Sequence, residues 1–332
     1  RKFVVLAMKP TSMKIDARVT FDSKRGLYDL QFKALGTNCR IQYTATSNDH
    51  AAVFAKEAAQ WVASFEGKYS RFRDDSLISE INRNAGVRWT DIDAEVESIF
   101  AICDDLNFMT QGVLDPTMLP LIKLWDYRET HVSLPTDSAI AETMALIGWD
   151  KVERKPGAVF LPKPGMALDL GGFGKEYAVD KVAAIAVGNR IGACLVDFGR
   201  DIHALGTPPG APAWHIGLEN PEVPGSAWSS LAAVDMGIAT SGDYRRFFEH
   251  AGQRYGHIID PRVGKPAING ILAVTIAANS CLEAGVLSTA VFVLGEEVGM
   301  KLVEGTFGAE GCIIMNSGIQ QTSKFYEHVV EK

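Results

Sequence analysis

The sequence has little of what would assign it quickly. Its five cysteines, Cys39, Cys103, Cys194, Cys281 and Cys312, are odd in number and widely spaced, with no CxxC pair and no Cys/His cluster. That excludes a disulfide framework and a cysteine-based zinc site and leaves buried free thiols. No apolar run approaches the ~20 residues of a membrane span, and "RKFVVLAM" is too short for a signal peptide with its cleavage site. Positive charge is in deficit: 33 Lys and Arg against 40 Asp and Glu give a formal charge of -7. Such a balance is unsuited to broad contact with nucleic acid or an anionic membrane, so an anionic ligand must be held locally. Solenoid repeats and low-complexity tracts are lacking too. What remains, 332 residues with 47% hydrophobic content, suffices for one large or two medium domains with a substantial core. A cytoplasmic location is favoured over a periplasmic one, which would require a leader removed before Arg1.

Two textures follow one another along the chain. "YDLQFKALGTNCRIQYTAT" alternates apolar and polar residues and is rich in Thr, Tyr and Ile, which predicts a strand pair near Tyr28 to Thr46. Helical spacing then takes over, first from Asp49 to Lys68, with Asp49 as N-cap and Gly67 near the stop. The short "DDSLISEINRNAG", the run Glu95 to Gln111, and "LPTDSAIAETMALIGW", with a capping signal at Thr136 or Asp137, continue it. Beyond these, strand-like runs "AVFLP", "MALDLGG", "ACLVDFG", "WHIGLEN" and "GHIIDP" alternate with glycine turns. Helical patterns at Lys175 to Gly188 and from Glu283 onward interrupt them. The order predicts an α+β protein of mixed sheets and packed helices in which glycine turns carry the site. Residues 1–27 read as an N-terminal extension or an added remnant, and 28–332 as the domain.

Several stretches could carry chemistry. "ALDLGGFGKEYAVDKVAA" runs a strand into two glycines, a lysine and a helix; N–H groups freed by such a turn, with the mobile charge of Lys175, suit an anion such as phosphate. It is not a Walker A loop, because Asp169 and Glu176 stand where that motif needs Gly and Ser or Thr. The same residues also read as a plain strand-to-helix turn. "RYGHIIDPRVGKP" offers His257 as a general base with a near-neutral ordinary pKa, or as a structural histidine at a strand end. "YSRFRDDSLISEIN" sets Tyr69 and Phe72 beside Arg71 and Arg73, at home with a nucleotide-like ligand or in a surface turn. Asp115 before Pro116 forms a turn that could display a ligand contact. "ATSGDYRRFF" places Ser241, Gly242 and Asp243 at a helix start; with no GxSxG present, Ser241 reads as a cap or ligand contact rather than a nucleophile.

Taken in order, "ALGTNCRI", "YSRFRDDSLISEIN", "GVLDPT…PLIKLW", "LDLGGFGKEYAVD", "LVDFGRDI", "ATSGDYRRFF", "HIIDPRVGKP" and "LSTAVFVLG" resemble the FAD:protein FMN transferase family, also called ApbE. The resemblance covers nearly all of Phe32 to Gly295. It implies a bipartite fold of two closely associated lobes that binds FAD, cleaves its pyrophosphate with Mg²⁺, and transfers FMN to a Thr or Ser hydroxyl of a target flavoprotein, releasing AMP. By position it implies that Leu35 and Phe72 pack FAD and that the turn Val113, Leu114 and Asp115 contacts it. Asp169 and Lys175 would hold its polar groups, and His257 would take the hydroxyl proton or position the phosphate.

For the metal, the resemblance implies the carbonyl of Gly172, a contribution from Ser288, and a carboxylate four residues before Thr289. Gly285 stands at that last position. Mg²⁺ usually needs at least one carboxylate, so the gap is serious. Glu283 is two residues away and reaches in only if the segment is not regular helix. Other departures are Glu176 where glycine is usual, Arg200 where glycine or asparagine is usual, and Val263 where threonine is usual. Three readings follow: a working transferase whose metal site is rebuilt with Glu283 or with water; a protein that binds FAD or an adenine nucleotide without transfer, or does metal-independent chemistry; and a carrier that keeps only the fold. Gly285→Asp is expected to tighten Mg²⁺ binding.

Overall fold

Among the described residues ten strands, the inner ones with alternating buried positions, form one antiparallel sheet whose spatial order is the chain order. The computed structural model describes residues 3–4, 15–129, 133–223 and 225–330. The strands are β1 (Phe3–Val4), β2 (Arg18–Asp22), β3 (Leu27–Ala34), β4 (Thr37–Tyr43) and β5 (Cys194–Phe198). They continue as β6 (Ile202–Leu205), β7 (Met236–Gly242), β8 (Ile271–Ala278), β9 (Glu310–Met315) and β10 (Gly318–Gln321). The β3–β4 hairpin turns on Leu35 and Gly36, both at positive φ (52° and 69°). That is the two-residue geometry matched to strand twist.

Among the described residues the connection from β4 to β5 holds six α-helices: α1 (Asn48–Tyr69), α2 (Leu77–Arg83), α3 (Ala94–Met109), α4 (Leu119–Leu124), α5 (Asp137–Met144) and α6 (Gly174–Gly188). Between β8 and β9 lie α7 (Cys281–Leu294) and α8 (Glu296–Glu304). Side-chain caps fix the starts: Ser47, Ser76, Asp93, Thr136 and Ser280 each accept from a backbone N–H one turn on. Ser47, rather than Asp49, caps α1 because its extended φ and ψ aim the hydroxyl at the N–H of His50.

Helices α1, α6 and α7 pack beside one another against the sheet. Phe54, Val62, Phe100, Val182 and Phe198 belong to one core there, and Leu287, Val291, Phe292, Val274 and Ile276 to a second beneath α7. The opposite face buries Ile202, Ile238 and Ala277 against Trp214, Leu218 and Leu231 of a separate hairpin. Neighbours Ile276 and Ala277 going to different cores is the two-residue strand period at work. The α+β class expected from the sequence is the class observed. All five cysteines are buried and unpaired, and no described helix is long and apolar enough to cross a membrane.

Three local expectations are corrected. "MALDLGG" forms no strand, because its backbone donors are taken elsewhere: Leu168 N–H goes to the Asn82 side chain (2.6 Å) and Asp169 N–H to the Pro116 carbonyl (2.8 Å). Ser241 and Gly242 start no helix but end β7, where pairing with Val274 and Ala273 outweighs the local capping signal. The boundary at residue 28 cuts through the sheet, since β2 pairs with β3 from Arg18 to Asp22. Residues 5–14 of the expected extension lie outside the described residues.

Candidate active site

The polar side chains gather where α6 begins, α7 passes, and the β5–β6 turn ends. The N-terminus of α6 has no side-chain cap, and its second residue, Lys175, forms an ion pair with Asp201. Asp201 is buried, as is Asp197 at the end of β5 in large part. Burial works against the charge on Lys175, but Asp201 and Glu176 beside it outweigh that and raise its pKa. Burial raises the pKa of Asp197 as well. Asp197 accepts from the N–H of Arg200 (2.7 Å), which holds the turn with Gly199 and Arg200 both at positive φ. A glycine or asparagine would take that φ at Arg200 with less strain.

On α7, Ser288 and Thr289 meet Ser241 from β7. The Ser241 hydroxyl lies 2.8 Å from that of Ser288 and 3.1 Å from that of Thr289, and Ser288 also donates to the carbonyl of Gly285 (2.9 Å). Gly285 and Thr289, four residues apart, share a helix face. A Cβ built on Gly285 would stand 2.5 Å from Cγ of Glu176, 3.1 Å from its Cδ and 3.2 Å from its Oε1. The Glu176 side chain therefore lies directly on the bare backbone of α7. Glu176 is only 9% exposed, and its Oε2 is buried with no hydrogen-bond partner among the described residues. Burial first, and the charge of Asp201 second, push its pKa well above the usual carboxylate range.

His257 stands within range of the Lys175 charge. Its N–H donates to the Arg246 carbonyl (3.0 Å), its ring meets Tyr127 edge-on, and its Nδ1 is buried without a partner among the described residues. Burial, Arg246 and Lys175 lower its pKa to about 4, so the imidazole is neutral at pH 7 with a free lone pair. Among the described residues no group of three or more His, Cys, Asp and Glu side chains is placed to hold a metal. Mg²⁺ ordinarily keeps waters and phosphate oxygens beside one or two carboxylates, so a smaller set is the one to look for.

The other expected residues are placed as follows. Asp169 accepts from Arg71 (2.8 Å) and from the N–H of Gly171 (2.9 Å). Arg71 also lies 4.1 Å over the ring of Phe72, which is 68% exposed, so Arg71 ties Phe72 to the glycine turn. Leu35 is held through its N–H by Glu66 (2.7 Å). Val113 and Leu114 are buried in two different cores, Leu114 against Gly172.

Two of the expected side chains are engaged elsewhere in the fold. Both oxygens of Asp115 are committed to the fold, one accepting from Thr117 (2.7 and 2.6 Å) and the other from the N–H of Trp149 (2.9 Å). Glu283 does not fill the gap at Gly285: α7 is regular from Cys281, so the two face apart, and the Glu283 carboxylate turns back to the N–H of Asn279 (3.2 Å). Sequence reasoning assigned no role to Asp201, whose partner is distant in sequence, or to Asp180. The latter accepts from the N–H groups of Cys281 (2.9 Å) and Leu282 (2.8 Å) and from His203 (2.7 Å), anchoring α7.

Comparison with known proteins places this arrangement in context. Residues 35–313 match the family described as ApbE. The FAD:protein FMN transferase of Haemophilus influenzae is 29% identical over 319 residues, 91% of each chain, and that of Treponema pallidum is 31% identical over 302 residues, 84% of this chain and 82% of the other. The crystal structure of the ApbE protein of Thermotoga maritima superimposes with a TM-score of 0.82 at 30% identity, covering 92% of this chain and all of that one. The flavinyl transferase ApbE of Pseudomonas stutzeri, in its apo form, gives 0.80 at 26% identity over 96% and 98% of the two chains.

Proposed function

This chain belongs to the ApbE family, and on that premise we propose that it is an FAD:protein FMN transferase, moving FMN from FAD to a Thr or Ser hydroxyl of a target flavoprotein. The single observation that carries the reading is the Lys175–Asp201 pair at an uncapped helix start, within range for the Lys175 charge to act on His257, whose neutral imidazole has an unpartnered Nδ1 among the described residues. Together they supply a cation and helix N–H groups for a pyrophosphate and a proton acceptor for the attacking hydroxyl.

The acceptor oxygen attacks the phosphorus of the FMN half, the bond from that phosphorus to the bridging oxygen breaks, and AMP leaves with the bridging oxygen. The hydroxyl proton passes to Nδ1 of His257. Pyrophosphate charge entering beside Lys175 and Arg246 offsets two of the influences that hold this histidine's pKa down, making it a stronger base once substrate is bound. Asp169, oriented by Arg71, and the exposed ring of Phe72 suit the polar and planar parts of the dinucleotide, with Leu35 on the facing hairpin.

The donors near Gly285 are oxygens throughout, namely the hydroxyls of Ser241, Ser288 and Thr289 and the free Oε2 of Glu176, and this set fits a hard divalent cation. Ser288, Thr289 and the carbonyl of Gly172, an exposed residue on the turn before α6, would help hold Mg²⁺, which when bound would neutralise pyrophosphate oxygens. Buried, unpaired thiols support a cytoplasmic setting over a periplasmic one.

The test is incubation with FAD, Mg²⁺ and a peptide bearing Thr among small residues, with AMP and a peptide mass gain of FMN as readouts. FAD bound intact, with no product at any Mg²⁺ concentration, overturns the reading in favour of a flavin-binding protein without transfer.

A further inference from the structure

We propose that Glu176 is the metal carboxylate of this site, delivered from α6 onto the face of α7 that Gly285 leaves bare. The inference rests on the transferase reading above and adds to it a ligand that position 285 cannot provide.

Charge within the pocket is the first argument. Glu176, Asp201 and Asp197 are all inside, and Lys175, the ammonium among them, is committed to Asp201. Buried carboxylates are retained when paired or when they coordinate a cation. Glu176 lies against the Asp201 carboxylate, shares the Lys175 ammonium with it, and leaves Oε2 without a hydrogen bond among the described residues. A divalent ion answers that deficit, and the nearby hydroxyls of Ser241, Ser288 and Thr289 are the neutral oxygens such an ion accepts.

Shape is the second argument. The space beside Gly285 is not empty: Cγ of Glu176 occupies what a side chain there would need, 2.5 Å from the Cβ position. Glycine at 285 and glutamate at 176 are thus one exchange. The carboxylate that the resemblance leads one to expect on α7 is supplied from α6 at the meeting point of the two helices. It follows that Gly285→Asp alone does not tighten Mg²⁺ binding, contrary to the expectation from sequence, because the new side chain collides with Glu176.

Mn²⁺ serves as the probe, its affinity measured by electron paramagnetic resonance on the full chain with FAD bound. Glu176→Gln, which keeps the shape, is expected to weaken Mn²⁺ by about tenfold or more while FAD binding and the melting temperature are retained. The double variant Glu176→Gly with Gly285→Asp is expected to recover most of that affinity, whereas Gly285→Asp alone does not raise it. Unchanged Mn²⁺ affinity in Glu176→Gln, or no Mn²⁺ binding by the unmodified protein, overturns the proposal. If Glu176→Gln fails to fold, the double variant decides: folded but without Mn²⁺ affinity, it overturns the proposal too. FMN transfer by the unmodified protein is followed in parallel. Transfer with Mn²⁺ affinity indifferent to Glu176 removes this inference alone; Glu176-dependent affinity without transfer removes the transferase reading alone.

Discussion

Gly285→Ala is the substitution whose sign the structure determines against ordinary expectation. Gly285 is helical and buried inside α7, where alanine normally adds ~1 kcal/mol of helix stability. Here the added methyl would stand 2.5 Å from Cγ of Glu176, closer than carbon atoms approach. Cγ is not the free end of a flexible chain; it lies in the middle of a side chain buried between two packed helices. Overpacking of that kind costs ~1–3 kcal/mol, so the net effect runs from about zero to a loss of ~2 kcal/mol. With Glu176→Ala already in place, Cγ is gone and the same change should gain ~1 kcal/mol. The coupling between the positions is therefore ~1–3 kcal/mol, within the range found for residues in contact. Equilibrium urea unfolding of the four proteins measures it, provided the denaturant slope is common to all. Equal stabilisation by Gly285→Ala in both backgrounds would refute the account, because it would mean that Glu176 does not occupy the space beside Gly285.

Two further predictions concern the surroundings of the site. His257 has a folded pKa of about 4 against an ordinary value of 6.5, so between those pH values the unfolded chain binds a proton that the folded protein refuses. Its contribution is full above pH 6.5 and falls away as the pH drops to 4, with a total loss of about 3 kcal/mol. His257→Gln should flatten that part of the stability–pH curve, and an unchanged slope would place the pH dependence elsewhere. Asp115→Ala strips acceptors from Thr117 and from the N–H of Trp149, so it should cost ~2–4 kcal/mol in thermal or urea unfolding. The FAD affinity of the folded protein should be unmoved; a large loss of affinity at unchanged stability would return Asp115 to the cofactor site.

Elements with strong periodicity were legible in the sequence, and those set by distant partners were not. The β3–β4 hairpin, α1, α3 and α6 each carry their own pattern, and their observed ranges differ from expectation by at most three residues at either end. "MALDLGG" has a strand's composition, yet Asn82 and Pro116 capture its donors, and no local pattern announces a partner more than fifty residues away. Ser241 looked like a helix cap because Ser-Gly-Asp is a common capping composition, while the ladder to β8 keeps it in a strand. In the site, Lys175 and His257 were visible as residue types. Asp201 was not, because its role exists only once the β5–β6 turn is folded against α6.

Gly285 and Glu176 show why reading departures one at a time falls short. Each, taken alone, looks like damage: a helix with a hole where an acid is expected, and an acid buried where a glycine is expected. They are 109 positions apart by their numbering, and nothing in the local sequence links them. Once α6 and α7 are packed, the hole and the acid are complementary, because a cation responds to where an oxygen stands and not to which helix carries it. The appropriate unit of comparison at this site is therefore the pair of facing positions. A chain with glycine at 285 and no acid at 176 would have lost the carboxylate; this one carries it on the other helix.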